Sequence, residues 1–201
     1  EDRWARFYQK GGDGEVDTNP IAMLSKGEVF QLALALEVPR SILEARPSPD
    51  LWAVGDAHND EDEFDNYFGV QAQPWYSYID LDTGLYKTVG TIERVSRFLD
   101  ISSNGLFAGS LLDVDFSEAA REMAVQTVVN HALETTFQGW DPLKVRKVLL
   151  AARRTERMTL HKFNPNCPAL GEREALVQSG LLTNDLPLLG LDTVTAEGEA
   201  P

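Results

Sequence analysis

Between Gly11 and Glu28 the chain spells a glycine-rich turn followed by an enforced helix start, and this stretch narrows the fold more than any other. Gly11, Gly12 and Gly14 lack a Cβ, so the backbone there turns sharply and approaches a ligand closely. Asp13 and Asp17 follow the turn at fixed offsets. Pro20 keeps Asn19 out of the helical region. Ser25-x-x-Glu28 is a capping box, with Ser25 as N-cap and Glu28 at the third helical position. Lys26 therefore stands in the first turn of a helix, beside unpaired backbone N–H groups and the positive dipole end, where phosphates bind readily. The spacing describes either an anion-holding turn with carboxylates nearby, or a plain turn and capped helix with solvated charges.

Around this stretch the chain alternates helix signals with long irregular segments. Arg3–Gln9 reads as the end of a helix stopped by Gly11-Gly12, and Val16–Ile21 as a short strand edge carrying Asp17. The helix from Lys26 to Leu36 places Val29, Leu32, Ala33 and Leu36 on one face. Pro39 opens a short helix to about Glu44. Residues 46–66, rich in Pro, Gly, Asp and Glu without a sustained period, read as a mobile acidic lid or a disordered acidic linker. Pro74–Tyr86 carries Trp75, Tyr76, Tyr78 and Tyr86 around an Asp82-Thr83-Gly84 turn signal, consistent with either a hairpin or aromatic packing about a loop.

Further helices are predicted over Thr91–Leu99, Ser117–Phe137, Asp141–Thr155 and Glu172–Ser179, the last stopped by Gly180. The expected buried sets are Ile92, Val95, Phe98 and Leu99 in the first, then Ala120, Met123, Ala124, Val128 and Leu133, then Val145, Val148, Leu149 and Ala152. His131 reads as a core-edge residue and His58 as a surface histidine, with no second histidine at ligand spacing. The organisation expected is one domain portion over residues 1–192, with 101–160 as an extended helical segment and 193–201 as a disordered tail.

The formal net charge of −14 argues against a nucleic-acid partner, because such a face must neutralise phosphate. It does not oppose a dinucleotide, since local lysines and loop N–H groups hold anions inside acidic proteins. One cysteine, Cys167, rules out an internal disulfide framework and fits a reducing, cytoplasmic compartment; it reads as a loop thiol. Apolar runs fall short of a membrane span.

The blocks in this order resemble the ATP-dependent NAD synthetases: Phe7-Tyr8, Gly12-Asp13-Gly14, Asp17, Pro20-Ile21 and Leu24-Ser25-Lys26. Glu28-Val29-Phe30-Gln31-Leu32-Ala33, Val38-Pro39, Arg46-Pro47-Ser48-Pro49-Asp50-Leu51-Trp52 and the acidic run Asp60-Glu61-Asp62-Glu63-Phe64 continue it, and His161-Lys162 is a fainter C-terminal echo. The Ser-Gly-Gly-x-Asp-Ser pyrophosphate loop of that family does not occur in the chain, and Pro49 stands where the family has a small residue. The resemblance thus implies an α/β fold: the C-terminal, mainly helical part of a doubly wound parallel-sheet adenine-nucleotide α-hydrolase-like domain.

The activity it implies is amidation of deamido-NAD to NAD through an acyl-adenylate, with ATP as co-substrate, Mg2+ as metal and ammonia as nucleophile; no glutaminase nucleophile is recognisable. By the same resemblance Lys26 and Ser48 contact pyrophosphate oxygens, Asp50 either anchors and shapes the lid or belongs to the ATP site itself, and Asp13 and Asp17 orient deamido-NAD. His161 and Lys162 close over the acyl-adenylate, while Arg153, Arg154 and Arg157 either counter triphosphate charge or end a solvated helix. The family's metal-binding glutamate precedes the aromatic pair, where only Glu1 and Asp2 stand, so the metal ligand stays open. The expected assembly is a homodimer or a pairing with a chain that carries the pyrophosphate loop. The alternative is a non-catalytic module binding deamido-NAD and ATP, or a helical interaction domain.

Overall fold

The computed structural model describes residues 4–7, 18–45, 47, 60–101, 118–159, 162 and 173–186. Helices dominate: α1 (Lys26–Ala35), α2 (Arg40–Leu43), α3 (Asp60–Phe68), α4 (Thr91–Ile101), α5 (Glu118–Glu134), α6 (Pro142–Met158) and α7 (Arg173–Gln178). Between α3 and α4 run two short strands, β1 (Tyr78–Ile79) and β2 (Tyr86–Thr88). They pair antiparallel with Tyr78 opposite Thr88 and Ile79 opposite Tyr86, and a register shift between Tyr78 and Ile79. The hairpin reading of the aromatic segment therefore holds. Among the described residues this pair is the whole sheet, so the molecule is mostly helical with a small antiparallel sheet.

The main core gathers Phe64 and Phe68 of α3, Trp75, and Ile92, Val95 and Phe98 of α4, with Val128, Val129 and Ala132 of α5 and Val145, Val148, Leu149 and Ala152 of α6. Trp4 and Ala5 join it, and the Trp4 indole donates to Ser96 Oγ at 2.9 Å. Aromatic rings fill its centre: Phe68 stacks on Trp75 at 4.7 Å between centroids, and Phe7 meets Phe64 at 4.5 Å. α6 starts as its sequence demands, with Asp141 Oδ1 accepting the Lys144 amide at 2.8 Å and Pro142 first in the helix. The N-terminal amides of α4 are satisfied by tertiary partners: Thr91 N–H donates to Pro74 O and Ile92 N–H to Trp75 O. α7 stops where Gly180 adopts φ 77° and the Leu181 amide returns to Leu176 O.

Five expectations are corrected. Trp4–Phe7 is a turn rather than a helix end, and Arg6 sits at φ 48°, held by bonds from its guanidinium to Glu156 O and Thr159 Oγ1. Pro20–Met23 is a hydrogen-bonded turn, with Leu24 N–H on Ile21 O, so no strand edge forms over the described residues from Thr18. The buried face of α1 is not the one that periodicity gave: Leu36 is 68% exposed and Leu32 39%, while Phe30 and Leu34 pack on a second, smaller cluster of Ile79, Tyr86 and Val89. Met123 is exposed, because α5 turns Val125, Val128, Val129 and Ala132 inward instead. Asp60–Phe68, placed in the loop, is helical: Phe64 and Phe68 drive one face into the core, and four acidic residues favour the first turn. Residues 48–59, Cys167, His58 and the tail from Thr193 lie outside the described residues.

Candidate functional site

The capping box forms as written. Ser25 Oγ accepts the Glu28 amide at 3.4 Å, and Glu28 Oε2 accepts the Ser25 amide at 2.7 Å. This fixes Lys26 in the first turn of α1. Its ammonium lies 5.2 Å from the centre of the Tyr76 ring, a cation–π distance. Ser25, Lys26, Trp75, Tyr76, Ser77, Ile92, Glu93 and Ser96 line a small recess there.

Tyr76 connects the lysine to a second piece of the chain. Its hydroxyl donates to Asp60 Oδ2 at 3.2 Å and its amide to Glu61 Oε1 at 3.3 Å. The Asp60 amide in turn donates to Pro47 O at 3.3 Å. Pro47, which immediately precedes Ser48, is thereby tied to the same ring-and-carboxylate group that faces Lys26. The acidic run is thus more than a solvated patch: Glu61 also accepts the Tyr78 hydroxyl, and Asp65 accepts the Ala72 amide, the Gln73 side chain and the Trp75 indole.

Below the recess lies a buried charge network. Glu93, 2% exposed, accepts Arg97 Nη2 at 2.8 Å, Tyr86 Oη at 3.0 Å, Ser25 Oγ at 2.9 Å and Ser77 Oγ at 2.5 Å. Glu28 accepts Arg97 Nη2 at 3.2 Å and both terminal nitrogens of Arg173 at 3.0 and 3.1 Å. Burial alone would raise the Glu28 pKa, but hydrogen bonds from Arg173 and the Ser25 amide, with the charges of both arginines, hold it below the usual value. Burial, with Glu93 beside it, pushes the Tyr86 hydroxyl well above the ordinary phenol range, so it stays a donor. Two carboxylates and two guanidiniums thus share one satisfied group, the condition under which buried charge is tolerated.

Of the residues expected in a site, Lys26 and Lys162 are described. Lys162 Nζ donates to Arg6 O at 3.0 Å, which ties the end of α6 to the N-terminal turn. Asp13, Asp17, Ser48, Asp50, His161, Glu1 and Asp2 lie outside the described residues. Arg153 pairs with Glu156, and Arg154 donates to Phe68 O at 3.2 Å. Among the described residues no group of three His, Cys, Asp or Glu is arranged to hold a metal, and no helix is long and apolar enough to cross a membrane. The sequence alone gives Tyr76 only a place among the hairpin aromatics, and Glu93, Arg97 and Arg173 no role at all. The Glu93–Arg97 spacing of four was a readable signal; nothing local marked Arg173.

Residues 4–80 match the family model described as NAD synthase. This segment is similar to the NAD synthase family. Curated relatives named NH(3)-dependent NAD(+) synthetase include that of Archaeoglobus fulgidus, 51% identical over 57 residues, which are 28% of this chain and 22% of the relative. The Halobacterium salinarum protein is 33% identical over 101 residues, 45% of this chain and 38% of the relative. The Pyrococcus horikoshii protein is 31% identical over 105 residues, 49% of this chain and 40% of the relative. The chain therefore spans less than half the length of these NAD synthetase relatives. No solved structure matches it significantly.

Proposed function

We propose that this chain supplies the Lys26 side of an NAD synthetase site, which amidates deamido-NAD to NAD with ATP and ammonia. The observation that carries the reading is the linkage Lys26–Tyr76–Asp60–Pro47, which joins the capped helix start to the residue before Ser48. Two separated blocks of the NAD synthase segment are thereby brought to one place.

The chemistry follows from the substrate. A carboxylate is a poor electrophile, so one of its oxygens must become part of a leaving group. The nicotinate carboxylate oxygen of deamido-NAD attacks the α-phosphorus of ATP, the bond to the bridging oxygen breaks, and pyrophosphate departs. Ammonia then adds to the acyl carbon, the bond to the AMP oxygen breaks, and ammonia's surplus proton is lost to solvent. Lys26 neutralises the charge that grows on the departing pyrophosphate, from a helix N-terminus that already favours anions. Ser48 hydrogen-bonds the same oxygens, and Asp50 shapes that side. Asp13 and Asp17 orient deamido-NAD through hydroxyls or ring atoms, with His161 and Lys162 near the acyl group. Magnesium would screen phosphate charge, and the described residues offer it no cluster of ligands. The doubly wound parallel sheet, the cytoplasmic setting, and the homodimer or complementing chain belong to the same proposal.

The test is NAD formation from deamido-NAD, ATP and ammonium, by this chain alone and after addition of a chain bearing a Ser-Gly-Gly-x-Asp-Ser loop. Lys26→Ala should cut turnover by about 100-fold or more, the scale on which single electrostatic stabilisers act. Its unfolding free energy should fall by no more than about 1 kcal/mol, the scale of a cation–π contact such as the one Lys26 makes with Tyr76. Undiminished turnover in that variant overturns the role of Lys26. Calorimetric binding of deamido-NAD with no turnover in either mixture would favour the non-catalytic module.

A further inference from the structure

We propose that Arg173 is a positioning residue for Lys26, an inference that rests on the reading of Lys26 as the pyrophosphate cation. Arg173 is 6% exposed and opens α7, some 145 residues along the chain from the segment it grips. Its Nη1 donates to Met23 O at 2.5 Å and to Glu28 Oε2 at 3.1 Å, and its Nη2 donates to Glu28 Oε1 at 3.0 Å. One planar guanidinium thus grips a backbone carbonyl three residues before Lys26 and a side-chain carboxylate two residues after it. The remaining donors hold the group from behind, Nη2 on Thr183 O at 2.7 Å and Nε on Asn184 Oδ1 at 3.0 Å.

The polar tether at the start of α1 makes this grip matter. Gly27 is the buried residue of that helix, and Leu32 and Leu36 face solvent. Phe30 and Leu34 pack α1 on the hairpin cluster, and beside that contact the Glu28 carboxylate fixes its first turn. That carboxylate caps Ser25 with one oxygen while Arg97 and Arg173 hold it from α4 and α7. Removing Arg173 leaves Met23 O without this donor and Glu28 with Arg97 and the Ser25 amide. The first turn then loses the restraint that aims its lysine. Displacements of about 1 Å in such a frame cost up to about 100-fold in rate.

The experiment uses the full chain with Arg173→Ala and Arg173→Lys. Lys26 acylation by an acetyl N-hydroxysuccinimide ester is followed by mass spectrometry, with the exposed Lys147 in the same tube as reference. In Arg173→Ala the Lys26/Lys147 rate ratio rises severalfold. Arg173→Lys, which keeps the charge and loses the fork, lies between it and the native chain. In the amidation assay kcat falls by about 10- to 100-fold while KM for deamido-NAD holds, as expected for misplaced transition-state charge. An unchanged ratio overturns the proposal; should Arg173→Ala not fold, the Arg173→Lys ratio decides alone. Absence of amidation by the native chain both alone and with the loop-bearing chain added counts against the synthetase reading, and the acylation ratio still decides the role of Arg173.

Discussion

A Cβ on Gly27 would lie 2.2 Å from the Tyr86 hydroxyl, and Tyr86 has nowhere to go: the residue is 5% exposed and its hydroxyl is bound to Glu93. Overpacking of this kind costs about 1–3 kcal/mol, while alanine in place of glycine returns at most about 1 kcal/mol of helix propensity. Gly27→Ala should therefore destabilise the chain, read as a lower denaturation midpoint in urea; a gain would show that α1 stands off the hairpin. Glu28, one residue on, gives a pH prediction. Its folded pKa is depressed, so its contribution is fully present above the unfolded value of about 4.3 and is lost as pH falls through the folded value. The partners are Arg97 and Arg173, with Glu93 across Arg97, and both guanidiniums stay charged throughout. The stability gap between the native chain and Glu28→Gln should thus be widest near neutrality and shrink steadily below about pH 4. A gap that does not change with acid would deny the pairing. The capping box was legible because both of its residues lie within one helical turn. Arg173 was not, because its partners come from the far end of the chain.

At the scale of elements, helices with one strongly apolar face were readable and those tied by polar contacts were not. α4 and α6 bury the residues that their spacing names, with Leu99 only partly covered, since each presents a continuous stripe to the main core. α1 and α3 break that rule in opposite ways. α1 has an apolar stripe that the fold leaves largely outside, because its docking is set by the Glu28 cluster and by Phe30 and Leu34 on the hairpin. α3 is too acidic to show a clear period, yet Phe64 and Phe68 anchor it and its carboxylates bind the 72–78 segment. Asp65 is the clearest of these: its oxygens accept the Ala72 amide at 3.0 Å, the Gln73 side chain at 3.0 Å and the Trp75 indole at 2.8 Å. Trp75 is 1% exposed, so its N–H has no ready substitute. Asp65→Ala should cost about 1–3 kcal/mol, the penalty for an orphaned buried donor, and should alter tryptophan emission before global unfolding. A loss within experimental error would mean that the aromatic cluster alone holds this segment.

Across the whole molecule, charge is arranged at two depths. Glu28, Glu93, Arg97 and Arg173 form a neutral group beneath the surface, linking α1, α4 and α7 through side chains at most 13% exposed. The remaining charges account for the net −14 of the chain. Exposed pairs such as Arg40–Asp82, with side chains 57% and 74% exposed, add little to stability. Salt acts differently on these populations. Self-repulsion among surface carboxylates is screened within about 8 Å at physiological ionic strength, whereas buried pairs are screened much less. Raising sodium chloride from about 0.02 M to about 0.5 M, a span over which the screening length falls severalfold, should therefore raise the melting temperature of the native chain. Arg173→Lys should rise in parallel, because the group it weakens is shielded from salt already. A native melting temperature that falls with salt would place the stabilising ion pairs at the surface instead, and would remove the buried group from its role as the tie between the two ends of the fold.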